Sequence, residues 1–178
     1  MKAWQVLELG EPKDVMTLAE VADPRPQAGQ VLVSVLAAAA NFPDVLMCRG
    51  RYQVRPELPF VPGIERCGKI IAVGDGVSGF AIGDRVMGSP TAPTGAFAEL
   101  ALMEASSTFH APPGLDDAQA AALYIGHQTS WFALHRRARI ASGEVLLVHA
   151  AAGGVGTAAG LARESGSMRS SPGSSPPR

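Results

Sequence analysis

The sequence predicts a small β-rich barrel or sandwich followed by the opening strand, loop and helix of an α/β unit. Three observations predict it. Short apolar segments punctuated by Gly and Pro run from Met1 to about Pro113, the pattern of a small all-β domain. The text then turns alanine-rich in "PPGLDDAQAAALYIGHQTSWFALHRRARIASGE". Finally, the continuous apolar run Val145 to Val148 leads into a glycine loop and a short helical stretch.

Each element has its own warrant. "QVLVSVLAAA" (Gln30 to Ala39) follows the turn signal "DPRPQAG" and is rich in β-branched residues, so it reads as a strand. "CGKIIAVG", "GDRVMG" and "GAFAELALM" (Gly95 to Met103) are further short strands, bounded by glycines such as Gly68, Gly74, Gly83 and Gly88. Pro59, Pro62, Pro90 and Pro93 belong in loops, because proline cannot donate to a ladder. Asp116 or Asp117 caps a helix through the alanines. Gly126 is expected to interrupt it, and a second helix places Trp131, Leu134 and Ala138 on one face. The cluster "HRRAR" (His135 to Arg139) ends that helix, where cations complement its dipole. Val145 to Val148 is expected as a parallel strand buried on both faces, and Val155 to Glu164 as a helix. After Ser165 only Gly, Ser, Pro, Arg and one Met remain, a composition that predicts a disordered tail. The resulting division is 1–122, 123–164 and 165–178.

Composition narrows the function classes. The 178 residues carry a formal net charge of -1, which gives no electrostatic case for nucleic acid or an anionic membrane. The longest apolar run, "VLVSVLAAAANF", is shorter than the roughly 20 residues of a membrane helix. The N-terminus "MKAWQVLELGEPKD" has no long apolar core of a secretory signal. Cys48 and Cys67 have no metal or redox spacing. A cytoplasmic setting is expected.

The glycine loop carries the chemistry. Ala151, Gly153 and Gly156 reproduce a G-x-G-x-x-G spacing with alanine first, between an apolar run and a helical segment. In that context Gly153 lets backbone approach a pyrophosphate and Gly156 permits close packing of the helix. Free N–H groups at a helix N-terminus then face phosphate. An ordinary strand-turn-helix without ligand fits the same spacing.

"GEVLLVHAAAGGVG" (Gly143 to Gly156) resembles the cofactor loop of the quinone oxidoreductases, the zeta-crystallin-like branch of the medium-chain dehydrogenases/reductases. "PFVPGIERCGKIIAVGDGVSGFAIGDRVMG" (Pro59 to Gly88) resembles that superfamily's GroES-like catalytic domain, with P-G-x-E-x-x-G, V-G-x-x-V-x-x-F and G-D-R-V in order. "NFPDVLMCRGRY" (Asn41 to Tyr52) is similar to the zinc-free branch. The resemblance spans Met1 to about Thr157 and implies a GroES-like partial barrel followed by the start of a Rossmann domain. After about Ala159 the match stops, so the chain is expected to be the N-terminal portion of a reductase with a foreign tail.

The resemblance implies further expectations. NADPH or NADH would be the cofactor, held by Ala152, Gly153, Gly154, Val155 and Gly156 and by Thr129 near the nicotinamide carboxamide. Asn41 would lie beside the nicotinamide and donate from its amide to the acceptor oxygen. Tyr52 would line the acceptor pocket. Thr129 reads equally well as a helix cap, Asn41 as a cap before Pro43, and Tyr52 as a loop aromatic. Glu65 reads as structural, and His127, His135 and His149 as ordinary polar or core histidines. Zinc-dependent relatives hold their metal with a Cys and a His where this chain has Asn41 and Ile64, so no metal is expected. The substrate would be a quinone or enone, whose reduced anion is delocalised and needs no Lewis acid. Relatives often dimerise through the cofactor domain, and a non-catalytic structural or binding module is the alternative. The chain by itself is expected to bind NADPH weakly and to turn nothing over, because the adenosine pocket needs later strands.

Overall fold

The structure is a computed structural model that describes residues 1–92 and 94–167. Pro93 and the expected tail from residue 168 onward lie outside the described residues. The chain divides into two compact units, Met1–Tyr124 and Ile125 onward.

The first unit is the expected β-rich partial barrel. Strands β1 (Lys2–Val6) and β2 (Met16–Glu20) form an antiparallel pair joined through the short helix α1 (Pro12–Val15). The larger sheet is antiparallel throughout, with the order β6-β3-β4-β5-β7. Its members are β3 (Gln30–Ala39), β4 (Glu65–Val73), β5 (Arg85–Gly88), β6 (Leu100–Glu104) and β7 (Thr108–His110). Strand β3 covers the residues expected of it, and two register shifts, at Leu32/Val33 and Val35/Ala37, interrupt its pairing with β4. Such bulges bend and twist a strand, which suits a sheet that must curl. Val31, Val33, Ile70, Val86 and Met103 fill its inner face. The segment from Gly95 joins the ladder only at Leu100, after a single bridge between Ala98 and Ala3.

Two helices attach to the barrel. Helix α2 (Phe42–Cys48) follows β3 and buries Met47 and Cys48 against Val6, Val15 and Phe60. Helix α3 (Asp117–Ala121) begins at Asp116, whose carboxylate accepts from Gln119 N at 2.8 Å while Gln119 Oε1 accepts from Asp116 N. That reciprocal pair is a capping box. Arg85 pins this corner: its guanidinium meets Asp117 at 2.6 Å and donates to the Pro112 and Leu115 carbonyls.

The second unit departs from expectation in three places. Helix α4 (Tyr124–Trp131) runs through Gly126, and the break falls at Ala122–Leu123 instead. One glycine costs a helix only about 1 kcal/mol, so it does not force an end. Phe132–Ala138 then winds as a π-helix. Its wider turn removes the 3.6-residue period on which the expected face depended, and of Trp131, Leu134 and Ala138 only Leu134 is buried. Third, Val145 to Val148 has no strand pairing among the described residues. Leu146 and Val148 pack towards Leu134, Ala159 and Ala162, while Val145 and Leu147 are 93% and 77% exposed. A parallel strand buried on both faces needs a ladder on each side, and among the described residues this segment has none. Helix α5 (Gly154–Ser167) continues past Glu164 into the stretch read as tail.

Candidate functional site

Antiparallel pairing of β3 with β4 sets Ala39 opposite Glu65. Chain leaving β3 therefore passes the start of β4, and Asn41 comes beside Glu65. Asn41 Nδ2 donates to Glu65 Oε1 at 2.8 Å and to the Ala39 carbonyl at 3.3 Å. Glu65 is 2% exposed. Asn41 is also the N-cap of α2, and its backbone N–H donates to Asp44 Oδ2 at 2.8 Å. The expectation that the Asn41 amide donates to a substrate oxygen meets a different geometry: both N–H directions face protein acceptors.

Asp44, absent from the residues singled out in the sequence, completes the constellation. It is buried, and its Oδ1 accepts the Gly63 N–H at 3.0 Å. Burial raises its carboxyl above the ordinary value, opposed by the N–H bonds from Asn41 and Gly63 and reinforced by nearby Glu65. The spacing Asn41-x-x-Asp44 was the available signal, since an acidic residue at the third helical position commonly reaches back to the cap. Gly63 has φ +102°, and a β-carbon there would sit 2.8 Å from Phe97 N and 2.9 Å from Ala96. Both its conformation and its surroundings require glycine.

Tyr52 is half-buried against the Val6, Met47 and Phe60 cluster. It lines a cavity of about 660 Å³ together with Met47, Phe60, Ile64, Ser89 and Thr94. The walls are chiefly apolar, as in small-molecule pockets generally. Ile64 offers this cavity a hydrocarbon side chain.

The glycine loop belongs to the second unit. Ala150 takes a left-handed turn (φ 53°), Gly153 N donates to Ala150 O at 2.9 Å, and α5 starts at Gly154. A β-carbon on Gly156 would lie 2.6 Å from Ala150 O and 2.7 Å from Ala151 Cα, whereas one on Gly154 would meet nothing. The loop thus folds back tightly over the first turn of α5. Ala152, Gly153, Gly154 and Val155 are exposed there, and the first N–H groups of a helix lack partners within it. Those features fit a phosphate group. Ser130, 2% exposed, ties α4 to this turn through a 2.8 Å bond to the Val155 carbonyl. Thr129 lies inside α4 and is exposed, so it does not cap a helix; it borders an open groove with Phe132 and Arg137. His149 is exposed, and His135 bonds the Ala162 carbonyl at 3.3 Å.

Comparison with known proteins follows the same segments. The alcohol dehydrogenase GroES-like domain matches residues 27–113. The quinone oxidoreductase of Rattus norvegicus is 42% identical over 158 residues, covering 89% of this chain and 48% of that protein. The chain therefore spans about half the length of this relative. Among solved structures, the quinone oxidoreductase from Coxiella burnetii superposes with a TM-score of 0.85 at 32% identity, over 93% of this chain and 54% of that one. A mycobacterial protein solved in complex with NADPH gives 0.82 at 34% identity, over 89% and 48%.

Proposed function

We propose that the chain derives from an NAD(P)H-dependent, zinc-independent reductase of quinones or related enones, a reading supported by its likeness to the GroES-like domain of the alcohol dehydrogenases and to the quinone oxidoreductases. The observation that carries the proposal is the Tyr52 cavity, apolar and faced by Ile64. Such a wall suits a flat, delocalised acceptor and lacks the ligand set that holds a Lewis-acid metal against an alkoxide.

In this proposal the cofactor, when bound, supplies a hydride. The residues of the chain position and enclose. Backbone N–H groups from Ala152 to Gly156 hold phosphate, Thr129 lies near the carboxamide, and Asn41 and Tyr52 flank the acceptor. Positioning alone supplies a large part of such a rate. A mycobacterial relative's NADPH complex supports the cofactor assignment, and the glycine loop has the shape for phosphate.

A chimera tests this. Residues 1–160 joined to the C-terminal half of the rat relative should oxidise NADPH with quinones or enones, and added zinc should leave the rate unchanged. Zinc-dependent oxidation of simple alcohols by that chimera would overturn the proposal.

A further inference from the structure

We propose that Ser89 is a specificity-determining residue of the Tyr52 cavity. Its hydroxyl and that of Tyr52 each donate to one oxygen of the acceptor, so the cavity selects quinones, which carry two oxygens, over enones, which carry one. The assignment deepens the functional proposal above and rests on it for the class of acceptor.

An inventory of the cavity's donors carries it. Tyr52, Glu57, Ser89 and Thr94 are the lining residues with polar side chains. Glu57 is exposed and carries a carboxylate, which accepts and does not donate. Thr94 is spent: its Oγ1 donates to the Thr91 carbonyl at 2.9 Å and accepts the Leu102 N–H at 2.8 Å. The Asn41 amide is likewise committed, to Glu65 and Ala39. Ser89 and Tyr52 are both half-buried, and neither hydroxyl has a hydrogen-bond partner among the described residues. They enter the cavity from separate segments. The register that pairs Gly88 with Arg66 carries Ser89 alongside the start of β4, next to Ile64. Gly88 fixes that exit from β5, because it has φ +144° and a β-carbon there would lie 2.7 Å from both Met103 Cε and the Ser107 carbonyl. Tyr52 comes instead from the chain between α2 and β4 and is packed against Met47 and Phe60. Two donors on separate walls suit two oxygens at separate points of one ring. A ligand with one oxygen leaves the other hydroxyl without a partner in chiefly apolar surroundings, which disfavours it.

Isothermal titration of the full chain tests this with two probes. Duroquinone has a carbonyl oxygen at each end of its ring and a methyl on every other ring carbon, which blocks addition of the free thiols of Cys48 and Cys67. Isophorone is a methylated six-membered enone with a single carbonyl. The parent should bind duroquinone about fivefold more tightly than isophorone. Ser89→Ala and Tyr52→Phe should each weaken duroquinone by about fivefold and isophorone by no more than about twofold, since a single oxygen can use the remaining hydroxyl. Ser89→Thr, which keeps the O–H, should retain the preference, an outcome that a merely structural role for Ser89 does not produce. Equal affinities in the parent, no binding of either probe, or a Ser89→Ala variant with an unchanged ratio overturns the assignment. A chimera inactive with NADPH and quinones counts against the functional proposal, while the ratio of the two affinities in the chain itself judges Ser89.

Discussion

Asp44 Oδ1 accepts the backbone N–H of Gly63 at 3.0 Å, joining the first turn of α2 to the chain just before β4. Because its other oxygen holds Asn41 N, Asp44→Ala would leave two backbone donors in a closed space. The expected loss is about 2–3 kcal/mol of stability, read by urea denaturation. Burial, the largest influence on Asp44, raises its folded-state pKa above 3.8. A carboxyl raised on folding binds more protons in the native state. Its stabilising contribution is complete below 3.8 and is lost as pH rises through the folded value. The stability of the parent relative to Asp44→Asn should therefore fall across that interval, and a parent that gains on the variant there would contradict the assignment.

Gly63→Ala should be more damaging than its size suggests. It forces a β-carbon at φ +102° to within 2.8 Å of Phe97 N. Strain plus displacement should cost about 2–4 kcal/mol. Thermal unfolding of the purified variant checks this, and a matched Gly76→Ala, where no atom lies near, isolates the contribution of the backbone angle.

Arg66 presents the opposite case, a buried cation that the fold tolerates. It is fully buried, its Nη2 reaches the Ala101 and Leu102 carbonyls, and Nε and Nη1 have no partner among the described residues. Burial pushes its pKa down to about 9. Arg66→Met should be more stable at neutral pH by about 1–3 kcal/mol. The folded pKa lies below the ordinary arginine value, so the penalty is complete below about 9 and is relieved above it. Parent stability should rise towards that of the variant as pH increases from 9. Parallel curves across that range would show that Arg66 stays charged or finds a partner.

Val145 and Leu147 are exposed and pair with no strand among the described residues. Exposed apolar backbone without a ladder partner is a template for pairing with other chains. The double variant Val145→Lys, Leu147→Glu should remain monomeric at concentrations where the parent associates, measured by light scattering. Leu146 and Val148 pack inward, so the helical content of the unit should not change.

The sequence disclosed most where a pattern is local. Strand β3 follows from a β-branched run after a turn, and the start of α3 from an aspartate with a glutamine three residues on. It disclosed less where partners decide. Val145 to Val148 has the composition of a buried strand, but ladder hydrogen bonds come from other segments. Gly126 looked like a break and is accommodated within α4, and the π-helical turn after Trp131 leaves no mark in apolar spacing. At the candidate site, Asn41 and Tyr52 were legible through motif resemblance. That the Asn41 amide faces Glu65 was not, because it depends on the register that sets Ala39 opposite Glu65.

Asn41, Asp44, Gly63 and Glu65 all lie before Tyr124, within the first unit. Every hydrogen bond among them closes inside that block. The polar end of the candidate site is consequently a transferable cassette: a fusion or exchange made beyond residue 124 leaves its wiring intact. Designers could carry these four residues together into another setting, treating the barrel as a ready-made socket.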